Sequence, residues 1–188
     1  HGEAVVGAAG YDDIVNIVGF NYRLTELQAA IAREQLKKLS GFNAVRLEYV
    51  DYLIDGLEDI LFINPLSSRD ECHSTYYVMP IRFNEEIAGI TRDQFVTAMN
   101  AEGALFYQGY TKPLYLQPMY QQQMLFKSGY PFKAPENSNS VMDYSQGICP
   151  VTEKLYFSEM IINEHIRPPH TSSDIVDIIT AIDKVINN

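Results

Sequence analysis

From Thr25 to Leu57 the sequence carries a helical pattern that is long for a chain of this size, and that stretch most constrains the fold. Thr25-Glu26-Leu27-Gln28 has the form of a capping box, with Thr25 as N-cap and Gln28 reaching back to it. Leu24, Leu27 and Ile31 follow at i, i+3, i+7, and the composition through Leu39 favours helix. Ser40-Gly41 reads as an interruption. A second helical run from about Asn43 to Leu57 sets Val45, Tyr49, Tyr52, Leu53 and Leu57 on one face. The two runs read together as one long helix, bent at Gly41, whose apolar stripe must be covered by something.

Beyond Leu57 the period changes from helical to alternating. Ile60–Ile63 reads as a short strand stopped by Asn64-Pro65. Thr75–Phe83 reads as a stronger strand with Tyr77, Met79, Ile81 and Phe83 on one face; Pro80 inside it predicts an edge position or a bulge. A second capping box, Thr91-Arg92-Asp93-Gln94, opens a helix through Asn100 that ends with Gly103 at C′. Ala104–Tyr107 reads as a strand, 108–147 as a long loop rich in Tyr, Pro, Gln, Asn and Ser, and Cys149-Pro150 as the start of a short helix. After Pro168-Pro169 a last helix carries Ile175, Ile178, Ile179, Ile182 and Ile186. An extended piece is expected near Ile14–Val18. This order predicts an α+β fold.

Charge and cysteine content narrow the function. Fourteen basic residues stand against 24 acidic ones, a net charge of −10, which argues against nucleic-acid and anionic-membrane partners. No apolar run approaches the length of a membrane span. Cys72 and Cys149 form no CxxC pair, which fits a reducing, cytoplasmic setting and argues against a disulfide framework or structural zinc. A chain that opens at His1 and is apolar by Ala4-Val5-Val6 reads as cut from something longer.

Four groups of residues are candidates for chemistry. Asn21-Tyr22-Arg23 stand directly ahead of a helix N-terminus, whose free N–H groups and dipole suit a phosphate; Thr25 as a simple cap is the alternative. Tyr107-Gln108-Gly109-Tyr110-Thr111-Lys112-Pro113-Leu114-Tyr115 offers phenols for stacking and hydrogen bonding, or else covers the rim of a small core. His165 and His170 flank a stiff Pro-Pro, but no Cys or carboxylate pair completes a metal set. Cys72 and His73 are adjacent and would point to opposite faces of an extended segment.

The run Gly19-Phe20-Asn21-Tyr22-Arg23-Leu24-Thr25-Glu26-Leu27-Gln28-Ala29-Ala30-Ile31-Ala32, followed by Gln35-Leu36 and Leu39, resembles the DegT/DnrJ/EryC1/StrS family. These are pyridoxal-phosphate-dependent sugar aminotransferases of fold type I. Gly109-Tyr110 with Pro113-Leu114-Tyr115, Cys149-Pro150-Val151-Thr152-Glu153-Lys154-Leu155 and Arg167-Pro168-Pro169 resemble later elements of the same family. The resemblance implies a C-terminal small domain, 25–188, preceded by a linker or interface segment, 1–24, from a large domain. It implies no catalytic residue in this chain, since none of the seven lysines stands in surroundings like those of the family's Schiff-base lysine.

By the same resemblance Asn21, with Arg23 close behind, would bind the phosphate of pyridoxal 5'-phosphate in a partner subunit. Tyr110 and Tyr115 would border the substrate. The implied whole is a homodimer that moves an amino group from glutamate or glutamine to a keto sugar, nucleotide-linked in the expected case. This chain alone would be inactive. A non-catalytic interaction or dimerisation module of the same fold is the alternative.

Overall fold

The computed structural model describes residues 22–66, 68–139 and 142–187. Two compact units divide the chain, 1–40 and 41–188. The expected extended piece at Ile14–Val18 lies outside the described residues.

Helix α1 runs Glu26–Leu57 without a break, so Ser40-Gly41 does not interrupt it. In the first unit the capping box forms as read: Gln28 N–H donates to Thr25 Oγ1 at 3.3 Å and Thr25 N–H to Gln28 Oε1 at 3.0 Å. Leu24, Leu27, Ile31, Leu36 and Leu39 are all exposed there.

In the second unit, β1 (Ile63–Pro65), β2 (Met79–Phe83), β3 (Phe106–Gln108) and β4 (Met160–Asn163) form an antiparallel sheet in the order β1-β2-β4-β3. Met79, Ile81, Phe83, Ile161 and Phe106 belong to one buried cluster with Val50, Leu53 and Leu57 of α1. Helix α3 (Arg92–Ala101) and helix α6 (Ser172–Asn187) complete that cluster through Phe95, Met99, Ile175 and Ile182. Its centre is a chain of rings: Phe62 on Phe83 at 5.5 Å, Phe83 on Phe95 at 4.9 Å, Phe95 on Phe106 at 6.2 Å. Each such ring contributes roughly 1.5–3 kcal/mol by leaving water. The second capping box also forms, with Gln94 N–H on Thr91 Oγ1 at 3.2 Å, and Gly103 follows α3 with φ +89°.

Several expectations are corrected. β2 begins at Met79, not Thr75, because Tyr76 takes φ +43° and breaks the extended backbone; Tyr77 is exposed. β1 includes Asn64-Pro65 and starts only at Ile63, because Ile63 N–H donates to Ile60 O in a turn. Pro80 lies in an interior strand, opposite Ile162. Its carbonyl accepts from Leu66 N–H at 3.2 Å, so its missing N–H falls on the β1 side just past the end of that strand. On α1 the buried face is Val50, Leu53 and Leu57, turned away from Tyr52, which is exposed.

Strand β4 lies where no strand was expected, yet it pairs with two neighbours. The four-residue α2 (Glu85–Ala88) and α4 (Pro118–Gln121) were not foreseen either, and α4 stands inside 108–147 beside single turns at Leu114–Leu116 and Pro135–Asn137. Helix α5 (Pro150–Lys154) starts with proline in its first turn, as read, and runs on through a wider turn, Leu155–Glu159, into β4. Among the described residues no helix is long and apolar enough to cross a membrane.

Candidate functional site

The tyrosine segment leaves the sheet at the end of β3, and three side chains decide where it goes. Gly109 takes φ +61° and its N–H donates to Met160 O at 2.7 Å. A Cβ built there would stand 3.0 Å from the Tyr156 ring and 3.1 Å from the Tyr156 carbonyl, so a side chain meets both strain and backbone. That carbonyl accepts from Arg92 Nη1 at 2.7 Å. The Arg92 side chain is buried at the start of α3, with Nε donating to Asp93 Oδ1 at 2.9 Å, while the backbone N–H of Arg92 donates to Glu85 Oε1 at 2.9 Å. A buried guanidinium thus fixes the carbonyl on which the turn rests.

Further along, the Tyr115 phenol donates to Glu153 Oε1. Gly147 N–H donates to the same oxygen at 2.7 Å. Glu153 sits in α5 and is 8% exposed. The bonds from Tyr115, Gly147 and the backbone at Cys149 hold its carboxyl below the usual carboxylate range, against the opposing effect of burial. Burial, followed by the bond to this carboxylate, pushes the Tyr115 phenol well above the ordinary range. Tyr115 is therefore a neutral donor, and Glu153 an ionised acceptor, across ordinary pH.

Tyr110, by contrast, is 58% exposed. It lines an open cleft of about 500 Å³ with Thr97, Asn100, Tyr107, Ile162 and Glu164. Asn100 is already used, its amide donating to Phe106 O at 3.1 Å and accepting from Phe106 N–H at 2.8 Å, which closes that part of the β3 edge. Thr97 Oγ1 is likewise used, donating to Asp93 O at 2.7 Å, and Glu164 pairs with Arg167 at 3.3 Å, so the cleft chiefly offers the Tyr107 and Tyr110 phenols and the Gln108 amide. Such a lining suits a neutral, hydroxyl-bearing ring.

Of the predicted site residues, Asn21 lies outside the described residues. Arg23 is exposed two positions before Thr25, in the first unit, and makes no ion pair among the described residues. Tyr110 and Tyr115 share one loop: the first is presented outward, the second is committed to Glu153. The histidines stack, His165 on His170 with centroids 4.4 Å apart at 27°. Among the described residues no group of three His, Cys, Asp or Glu could hold a metal.

All seven lysines are exposed, and Lys37, Lys154 and Lys184 are ion-paired with Glu34, Glu159 and Glu102. Among the described residues no lysine stands in an enclosed pocket of the kind that shelters a Schiff base from water; Lys154 lines an open cleft beside Arg82 and Glu159. Sequence reading missed Arg92, Glu153 and Gly147. For Glu153 a signal existed, a glutamate three residues past a helix-opening proline and able to reach back to the cap.

The profile of the DegT/DnrJ/EryC1/StrS aminotransferase family matches residues 1–143, and the chain belongs to that family. It is 28% identical over 184 residues to a protein of Streptoalloteichus tenebrarius that is provisionally named an L-glutamine:3-amino-2,3-dideoxy-scyllo-inosose aminotransferase. That match covers 95% of this chain and 43% of the relative. The fold is that of the aminotransferase from Psychrobacter cryohalolentis, with TM-score 0.69, 20% identity, and 99% of this chain and 46% of that one covered. It is also that of DesV from S. venezuelae, with TM-score 0.69, 20% identity, and 92% and 39% covered. The chain spans about two fifths of the length of the curated relatives it matches.

Proposed function

We propose that these residues are the C-terminal part of a pyridoxal-phosphate-dependent aminotransferase that moves an amino group from glutamate or glutamine to a keto sugar, in the expected case nucleotide-linked. The observation that carries this reading is the family match over residues 1–143 together with an exposed tyrosine set beside an open cleft on a firmly anchored loop. In this reading 1–24 joins a large domain and 25–188 is the small domain.

Asn21 and Arg23 serve a cofactor phosphate held by the partner subunit of a homodimer. Tyr110 faces the sugar, its ring against the apolar face of the pyranose and its hydroxyl bonded to a sugar oxygen. Tyr115 borders the same site and, through Glu153, keeps the loop in place. The cofactor, when bound, supplies the electron sink for amino transfer; no step of that chemistry is assigned to a residue of this chain. A cytoplasmic enzyme of amino-sugar biosynthesis fits this reading.

The alternative is a non-catalytic dimerisation module of the same fold. The exposed Leu24, Leu27, Ile31, Leu36 and Leu39 on α1 favour it as much as they favour a domain of an enzyme. One experiment separates the two. The 188-residue chain with pyridoxal 5'-phosphate should give no visible absorption band of lysine-bound cofactor, and the coding sequence upstream of His1 should continue in frame into a domain that supplies that lysine. A start codon directly ahead of His1 would sink the enzyme reading and leave the module. A cofactor band from the chain alone would sink the claim that it is inactive.

A further inference from the structure

Within the loop that follows β3, side chains tie the outgoing limb to the returning one: Gln123 Nε2 donates to Met142 O at 3.4 Å, and two shorter ties accompany it. Gln121 Nε2 donates to Tyr115 O at 2.6 Å and to Tyr144 O at 2.5 Å. Glu153 does the converse. It accepts from the Tyr115 hydroxyl on the outgoing limb and from Gly147 N–H on the returning limb, both on Oε1. The Gln121 tie is neutral and exposed; the Glu153 tie is ionised and buried, which makes its bonds the stronger. Glu153 also belongs to α5, so it is the tie that fastens the limbs to the rest of the second unit. From the Tyr115 anchor back to Gly109, seated on Tyr156 O, the chain has only five residues between fixed points, and Tyr110 is the first of them.

We infer that Glu153 is a positioning residue: one buried carboxylate pins both limbs of the loop to α5 and thereby sets where Tyr110 stands at the cleft. The charge matters as well as the shape. Glutamine could offer one oxygen to Tyr115 and Gly147, but as a neutral acceptor it binds each donor less tightly, and its amide would face the backbone at Cys149 with a donor against a donor. Tyr115 stays neutral, with the Cys149 thiol also against its hydroxyl, and on the acid side the joint changes charge at Glu153.

Hydrogen exchange on the 188-residue chain tests the pin. Glu153→Gln should speed exchange of the amides of 110–116 and of 144–148 together, by about tenfold or more, while amides of β4 and α6 keep their wild-type rates. Tyr115→Phe, which keeps the ring, should free the outgoing limb and protects the test if Glu153→Gln folds poorly. In the wild type the protection of 110–116 and of Gly147 should fall as pH drops below the ordinary carboxylate range, and in Glu153→Gln that dependence should be lost; Ser145, whose N–H donates to Asp143 Oδ1 at 2.8 Å, keeps a pH dependence of its own. Exchange unchanged in both variants, or raised in one limb only by Glu153→Gln, overturns the inference.

The consequence for the sugar rests on the proposed function and has its own readout in the complete aminotransferase. Glu153→Gln should raise KM for the keto sugar severalfold and leave the half-reaction with the amino donor unchanged; Tyr110→Ala should raise the same KM. If Tyr110→Ala raises KM and Glu153→Gln does not, the positioning role is wrong. If Tyr110→Ala leaves KM unchanged, the sugar-facing reading of Tyr110 is wrong, while the exchange result still decides the pin.

Discussion

Gly56 of α1 lies directly against Ile179 of α6: a Cβ built on the glycine would stand 2.3 Å from Ile179 Cδ1 and 3.0 Å from Cγ1. Glycine ordinarily weakens a helix by up to about 1 kcal/mol relative to alanine, so its presence here reflects the approach of α6. Gly56→Ala should therefore destabilise the chain by about 1–2 kcal/mol in spite of better helix propensity. Pairing it with Ile179→Val, which removes Cδ1, should recover most of that loss. Urea unfolding of the two variants checks this, and a Gly56→Ala chain more stable than wild type would show that the contact yields at no cost.

How far the fold could be read in advance depended on whether an element declares itself locally. Thr25 with Gln28 and Thr91 with Gln94 are capping boxes whose two bonds lie within four residues, and both form as read. β4 has no such mark. Met160–Asn163 is a short apolar run after a helix start, and its strand identity comes from β2 and β3, whose residues are distant in sequence. Tyr76 misled in the other direction, since alternation upstream of Met79 gives no hint of a left-handed residue held by its N–H on Ser74 Oγ at 3.2 Å. Tyr110 and Tyr115 were visible as a pair of phenols on one segment, but not their opposite fates. Those depend on Glu153, which is 38 residues from Tyr115.

Arg92 offers a test of how the tyrosine segment is launched. Its guanidinium bonds the Tyr156 carbonyl and Asp93 from a buried position, and a lysine there would keep the charge but lose the planar fork. Arg92→Lys should cost about 1–2 kcal/mol of stability and loosen the turn at Gly109, since the Tyr156 carbonyl would no longer be held on that side. Denaturant unfolding gives the first quantity and exchange of the Gly109 amide the second. Unchanged exchange at Gly109 would mean that Met160 O alone fixes the turn.

His165 should make the fold sensitive to mild acid. Burial and then the charge of the stacked His170 lower its pKa, while Asp174 and Glu164 act the other way and Arg167 adds to the lowering. A histidine whose folded pKa lies below the unfolded value of about 6.5 contributes stability above that pH and loses it as pH falls toward the folded value. Tyr49, whose hydroxyl donates to His170 O at 3.0 Å, ties this loop to α1, so protonation should reach the helix packing. The melting temperature should drop between pH 6.5 and 5, and the drop should shrink in His165→Gln. Parallel pH profiles for the two chains would place the acid sensitivity elsewhere.

The exposed leucines and isoleucine at the start of α1 lead to the last expectation. Leu27 is 73% exposed, Leu36 68% and Ile31 57%, on a stretch otherwise occupied by good helix formers. Leaving such side chains in water forfeits roughly 1.5–3 kcal/mol each relative to burial, far more than an exposed helix of this composition regains from pairs such as Lys37–Glu34. The 188-residue chain should therefore associate with itself at high concentration or bind an apolar dye. Replacing Leu27 and Ile31 together with glutamate should reduce both signals, while the core around Phe95, in the second unit, keeps its urea midpoint. Sedimentation velocity over a wide concentration range reads the first effect. A monomer at every concentration, without dye binding, would mean that this face is covered within the chain itself.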